Sequence, residues 1–277
     1  MLRRSLLALS LALAVPALGC GGSVTSEPPQ TADTATTKAP VAVNAHGPVK
    51  LFGEALGDVP LTAAQRAQIE QLATDAESRH ADARAARKDL MTVLATQVQA
   101  GQIDRAALQP KIDALTAAMQ KAQPGDRAAF EQLHAILDSQ QRTEFVDAVK
   151  AHVGAHKGEM HDKHPMKQWA ADLQLSDDQT AQIKSAIMDR IHAAAASGAA
   201  HDWSQAKHQG QAMMAAFEQD RFVMNEVAPP RDLQAQVTKM ADHMLGLVEA
   251  ALPVLTPQQR VIAAQKLVEH ADSIELQ

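Results

Sequence analysis

Apolar residues recur along this chain at steps of three and four, the interval that puts side chains on one face of an α-helix. Ile69, Leu72, Ala76, Ala83, Leu90 and Leu94 form the first such stripe, whose middle is nearly all alanine. Gly101 breaks that helix. Leu108, Ile112, Leu115 and Met119 form the next stripe, which Pro124-Gly125 is expected to end before Phe130 and Leu133. A further helix carries Phe145 and Val149. Later come Ile183, Ile187 and Ile191, then Met213, Phe217 and Met224. Past Pro229-Pro230, the most regular stripe runs through Leu233, Val237, Met240, Met244, Leu247 and Ala251 until Pro253 ends it. No stretch makes a convincing strand, so the expected fold class is all-α.

Helix starts are marked by a repeated phrase. Residues 61–66 read LTAAQR and residues 255–260 read LTPQQR, with looser versions LDSQQR at 137–142 and LSDDQT at 175–180. In each, a short oxygen-bearing side chain (Thr62, Asp138, Ser176 or Thr256) stands three places before a glutamine (Gln65, Gln141, Gln179 or Gln259). That is the capping-box arrangement, in which the first side chain accepts from the N3 amide and the glutamine reaches back to the N-cap amide. Pro257 suits the first helical position, and Asp177 with Asp178 suits the positive end of a helix. The leucines Leu61, Leu137, Leu175 and Leu255 open the four copies, 76 residues apart in the first pair and 80 in the second. Matched spacing of this kind indicates a duplicated unit. Two tandem helical units are expected, residues 51–157 and 158–277, each of roughly four helices joined by short links that suit hairpins.

The chain begins with Arg3 and Arg4, the apolar run LLALSLALAVPALG and then Cys20, its single cysteine. The run is too short to span a bilayer and reads as an export signal, residues 1–19. Ala17-Leu18-Gly19-Cys20 is similar to a bacterial lipobox. That resemblance implies cleavage before Cys20, lipidation of its thiol and anchoring by buried acyl chains. Gly21 follows where an aspartate would signal inner-membrane retention, so a periplasmic protein anchored to the outer membrane is expected. Residues 20–50 are rich in Gly, Pro, Ser, Thr and Ala and read as a disordered tether after the lipidated cysteine. Without Arg3 and Arg4 the chain keeps 24 basic residues against 32 acidic ones, a formal charge of −8, which argues against nucleic acid as a partner. The second unit is the more acidic, with 16 acidic and 10 basic groups.

The L-T-x-x-Q signature, twice per unit and behind an export signal, resembles the Spy/CpxP family of bacterial envelope proteins. Leu61-Thr62-Gln65 and Leu255-Thr256-Gln259 fit it fully, while Leu137-Asp138-Gln141 and Leu175-Ser176-Gln179 keep the mechanism with other capping residues. The resemblance implies thin cradles of helical hairpins, usually dimeric, so the two units here are expected to pair as a cradle-like pseudo-dimer. It also implies an ATP-independent chaperone for unfolded or aggregation-prone envelope proteins, a regulatory partner of an envelope-stress sensor, or a zinc-associated stress protein. The family chaperone is basic, whereas this chain is acidic.

Chaperone action needs apolar side chains presented among charges. The alanine-rich middle of helix 62–100 and the adaptable Met213, Met214, Met224, Met240 and Met244 suit it, although methionines equally fill cores. Histidine carries the second reading. The junction AHVGAHKGEMHDKH holds His152, His156, His161 and His164, with helical spacing between the first two. Imidazoles in a short tract are candidate ligands for Zn²⁺, Cu²⁺ or Ni²⁺, or else merely polar residues of a solvated linker. His192, His201, His208 and His243 are further candidates in the second unit. No HExxH, G-x-S-x-G, phosphate loop or nucleophilic thiol is present, so no catalysis is expected and no cofactor is required.

Overall fold

The computed structural model describes residues 35–162, 165–196, 199–230 and 233–273, and side chains there except those of 156–166, 194–207 and 273. The expected signal, Cys20 and the chain up to residue 34 lie outside that set. Ten α-helices fill the described residues: α1 (Gly47–Gly57), α2 (Ala63–Ala100), α3 (Arg105–Ile136), α4 (Ser139–Asp162), α5 (Pro165–Asp172), α6 (Asp177–Ala196), α7 (Ala199–Phe217), α8 (Met224–Val227), α9 (Leu233–Ala251) and α10 (Pro257–Ser273). A single 3₁₀ turn, Leu252–Val254, links the last two. The all-α class holds, with one two-residue antiparallel bridge joining β1 (Thr36–Thr37) to β2 (Leu61–Thr62). Among the described residues no helix is long and apolar enough to cross a membrane.

Helices α2 and α3 form a long hairpin whose turn is made by Gly101, left-handed at φ 82°, and by Asp104, which caps α3 by accepting from the Ala107 amide at 3.1 Å. Helix α10 lies along α2, and α9 packs on both α3 and α6. Two clusters form the main core. The first gathers Leu56, Leu61, Ile69, Leu133, Leu137, Phe145 and Val146 from the base of the first repeat with Phe217, Phe222 and Met224 from the second. The second gathers Leu94, Val98, Leu108 and Ile112 from the far end of the α2–α3 hairpin with Leu173, Ile183, Leu245, Leu252 and Leu255. Each cluster thus joins residues of the expected first unit to residues of the expected second. All five phenylalanines lie in or against the first cluster, with Phe130 and Phe217 at 4.8 Å between centroids and Phe145 and Phe217 at 5.3 Å.

Four details differ from the sequence reading. Helix α3 does not end at Pro124-Gly125 but runs on to Ile136. Gly125 lets the Arg79 side chain of α2 lie directly against the α3 backbone, where a Cβ would collide with it. Packing of the half-buried Phe130 and burial of Leu133 against the first cluster keep the following turns on the same face. Proline inside a helix removes one backbone bond and costs about 3 kcal/mol. Pro124→Ala should therefore raise the thermal midpoint, with a gain of about 1–2 kcal/mol after the looser unfolded chain is counted. An unchanged or lower midpoint would mean the helix is already relaxed around the proline.

The tether expected over 20–50 is ordered from Ala35 onward. Val41, Ala42 and Ala45 are buried, Arg66 donates to the carbonyls of Thr37 and Ala39 at 2.7 Å, and the amides of Ala42 and His46 donate to Glu70 and Glu77. Composition missed this because main-chain bonds, not large side chains, hold the segment. The stripe expected through Met213, Phe217 and Met224 is divided, since α7 ends at Phe217 and Met224 opens the one-turn α8. On α9 the buried face is set by Val237, Leu245 and Gly246, with Ala241 and Val248 against it, so Met240 and Met244 of the expected stripe point outward.

Candidate functional site

The four motif copies fold as two matched pairs. Thr62 accepts from the Gln65 amide at 3.2 Å and Gln65 Oε1 accepts from the Thr62 amide at 3.0 Å, a complete capping box. Asp138 with Gln141, Ser176 with Gln179 and Thr256 with Gln259 make the same two bonds. Beyond capping, the glutamines bond to one another. Gln65 Nε2 donates to Gln141 Oε1 at 2.7 Å and Gln141 Nε2 returns a bond to Gln65 Oε1 at 3.0 Å. Each amide nitrogen also donates to the carbonyl just before the partner's leucine, Gln65 to Ile136 and Gln141 to Pro60. Gln179 and Gln259 repeat the pattern at 2.9 and 3.0 Å, reaching the carbonyls of Val254 and Gln174.

Every hydrogen-bonding group of these four side chains is used. Glutamine alone among side chains of this length carries both a donor and an acceptor, so it can cap its own helix and bridge to a twin. Of the leucines, Leu61, Leu137 and Leu255 are buried and Leu175 packs against the second cluster. The motif therefore fixes where one helix of a pair starts relative to the other. Sequence showed four caps; that the glutamines meet in twos was readable only as the shared spacing of 76 and 80 residues.

Among the described residues the large apolar side chains left exposed are Val43, Trp169, Met188, Ile191, Met240, Met244, Val261 and Val268. All but Val43 belong to the second, more acidic repeat. Met188 and Ile191 lie on α6 and Met240 and Met244 on α9, two helices that pack together. Met213 and Met214 pack against the first cluster and Met224 belongs to it, the core-filling alternative. Of the alanines in the middle of α2, Ala73 and Ala76 are buried, Ala83 and Ala86 half-buried, and Ala81 and Ala85 exposed.

Of the junction histidines, His152 bonds to Asp58 Oδ2 at 2.9 Å, tying α4 to the residue that caps α1. The side chains of His156, His161 and His164 lie outside the described residues, as does that of His201. His192, His208 and His243 belong to different helices, α6, α7 and α9. Among the described residues no three His, Cys, Asp or Glu side chains converge as a metal site. Two further histidines pair with carboxylates that the sequence did not single out: His46 with Glu77 at 2.7 Å and His80 with Asp126 at 2.8 Å. Glu77 also receives Arg84, and its carboxyl sits below the ordinary value: burial raises it, but the His46 amide and ring, with Arg84, outweigh that.

Fold and motif geometry define an all-α protein with a long α2–α3 hairpin and two reciprocal glutamine pairs. Comparison with protein-family models, curated proteins and solved structures yields no match to this chain.

Proposed function

We propose that this chain is a Spy/CpxP-like envelope chaperone, lipid-anchored through Cys20 on the periplasmic face of the outer membrane, that holds unfolded clients without ATP. Exposed Met188, Ile191, Met240 and Met244 on α6 and α9 carry this reading. Single exposed apolar residues are ordinary, but four of them on two helices that pack together are the kind of grouping that marks an interaction surface. Methionine fits such a surface because its unbranched, polarizable side chain adapts to many partners. Two core clusters that each draw on both units support a pseudo-dimer made within one chain.

The test is a quadruple variant, Met188→Ser, Ile191→Ser, Met240→Ser and Met244→Ser. Because these side chains are already exposed, its thermal midpoint should stay near the parent's. Protection of reduced, unfolded α-lactalbumin against light scattering should fall by half or more. Full protection at unchanged stability would remove α6 and α9 as the client surface, and with them this reading.

A further inference from the structure

The last letter of the motif does different work in its different copies. Arg66, Arg142 and Arg260 stand at equivalent positions, with Thr180 in the fourth copy. Arg66 holds the ordered end of the N-terminal segment. Arg142 and Arg260 form the closer pair, each at the base of one repeat and against the turn at the tip of the other's hairpin. Their backbone amides cap equivalently, Arg142 to the Asp138 carbonyl at 2.9 Å and Arg260 to the Thr256 carbonyl at 3.0 Å.

The two guanidinium groups differ in what they meet. Arg142 Nη1 donates to the Leu137 carbonyl at 3.0 Å, and its Nη2 donates to Asp220 Oδ1 at 2.8 Å. Asp220 stands three residues past Phe217, where α7 ends. Three residues past Ala100, where α2 ends, stands Ile103, which offers no carboxylate. The Arg260 guanidinium makes no hydrogen bond or ion pair with any described residue. In both arginines Nε is shielded and unbonded, so the difference lies in the Nη groups. Arg260 nevertheless sits in a shaped place. Gly101 gives it room, because a Cβ there would collide with the guanidinium, and the C-terminal end of α2 favours a cation.

A cavity of about 330 Å³ opens beside it, with apolar walls of Ile103, Leu252, Pro253 and Leu255 and two charged residues, Arg260 and Glu249. That volume matches a small ligand. Glu249 does not compete for Arg260. Arg105 binds it twice, from Nε at 2.6 Å and Nη2 at 2.8 Å, and Arg190 stands at 3.7 Å. Hydrogen bonds from Arg105 hold the Glu249 carboxyl below its ordinary value. Among the described residues Arg260 is left as the uncompensated charge of the cavity, in a chain that is acidic overall.

We propose that this cavity binds an aliphatic carboxylate, a free short-chain acid or the C-terminal residue of a peptide. The carboxylate takes at Arg260 the place that Asp220 takes at Arg142. Guanidinium forks match carboxylates in plane and spacing, which selects this anion, and the apolar walls select a hydrocarbon chain behind it.

Calorimetric titration of the mature protein tests the assignment with hexanoate, hexanol, and the tripeptide Ala-Ala-Leu as free acid and as C-terminal amide. Saturable binding of hexanoate or of the free-acid peptide is expected, with hexanol and the amide at least about tenfold weaker, the factor that a lost charge-assisted bond carries. Preference between hexanoate and peptide then tells a metabolite site from a peptide-end site. Arg260→Met should abolish binding. Should that variant fail to fold, Ile103→Asp gives an independent reading: a carboxylate at the position equivalent to Asp220 should occupy Arg260, raise the thermal midpoint and block hexanoate. No saturable binding by either acid, equal binding of hexanol, or binding that survives both substitutions would overturn the proposal.

Discussion

Phe217→Ala should destabilise the whole protein by about 3–5 kcal/mol, the range for truncating a fully buried aromatic side chain. Phe217 belongs to the second repeat by sequence, yet it is completely buried and its ring meets Phe130, Phe145, Phe222 and His134 at centroid distances of 4.8 to 5.3 Å. Removing it leaves a cavity that the rings from α3, α4 and the loop after α7 cannot all close. The shape of the melt carries as much information as its midpoint. Because each cluster draws on both repeats, thermal unfolding followed by circular dichroism should remain one transition shifted down. At about 2–4 °C per kcal/mol for a chain of this size, that shift is on the order of 10 °C. A split melt with one half unmoved would show that the repeats fold independently and that the shared clusters contribute little.

Loss of one glutamine of a pair should cost about 2–3 kcal/mol, well above the usual effect of a surface polar substitution. In Gln65→Ala the Thr62 amide and the Ile136 carbonyl lose their partner, and Gln141, itself 5% exposed, loses two of its bonds. Because the bonds are reciprocal, Gln141→Ala removes many of the same interactions. The double variant should therefore cost clearly less than the two singles added, with a coupling of about 1 kcal/mol or more. Gln179→Ala and Gln259→Ala should behave alike. Additive singles would reduce the glutamines to independent caps. Chemical denaturation of the four singles and two doubles decides it.

These effects sit on different sides of what could be read from the letters. Local chemistry was legible. The caps at Thr62, Asp138, Ser176 and Thr256 form as their spacing requires, because a capping box closes within four residues and needs nothing distant. The break at Gly101 was legible for the same reason, since it depends on the backbone of one residue. Pro124-Gly125 misled because a proline's cost is local while its compensation, the Arg79 contact and the packing of Phe130 and Leu133, comes from other segments.

Apolar periodicity determined the all-α class and the long helices' main stripes, and the motif's own letters determined the four cap positions. The 76- and 80-residue intervals determined which caps correspond. Periodicity cannot say which neighbour covers a stripe. On α9 the sequence offers two overlapping apolar faces, and packing against α3 and α6 chose Val237, Ala241, Leu245 and Val248 and left Met240 and Met244 outside. Tertiary structure alone decided that glutamines 76 and 80 residues apart would meet. It likewise decided that Asp220 would reach Arg142 while no carboxylate of the described chain reaches Arg260. Each of these needs two distant segments brought together, and their geometry is fixed by burial of side chains, not by spacing along the chain.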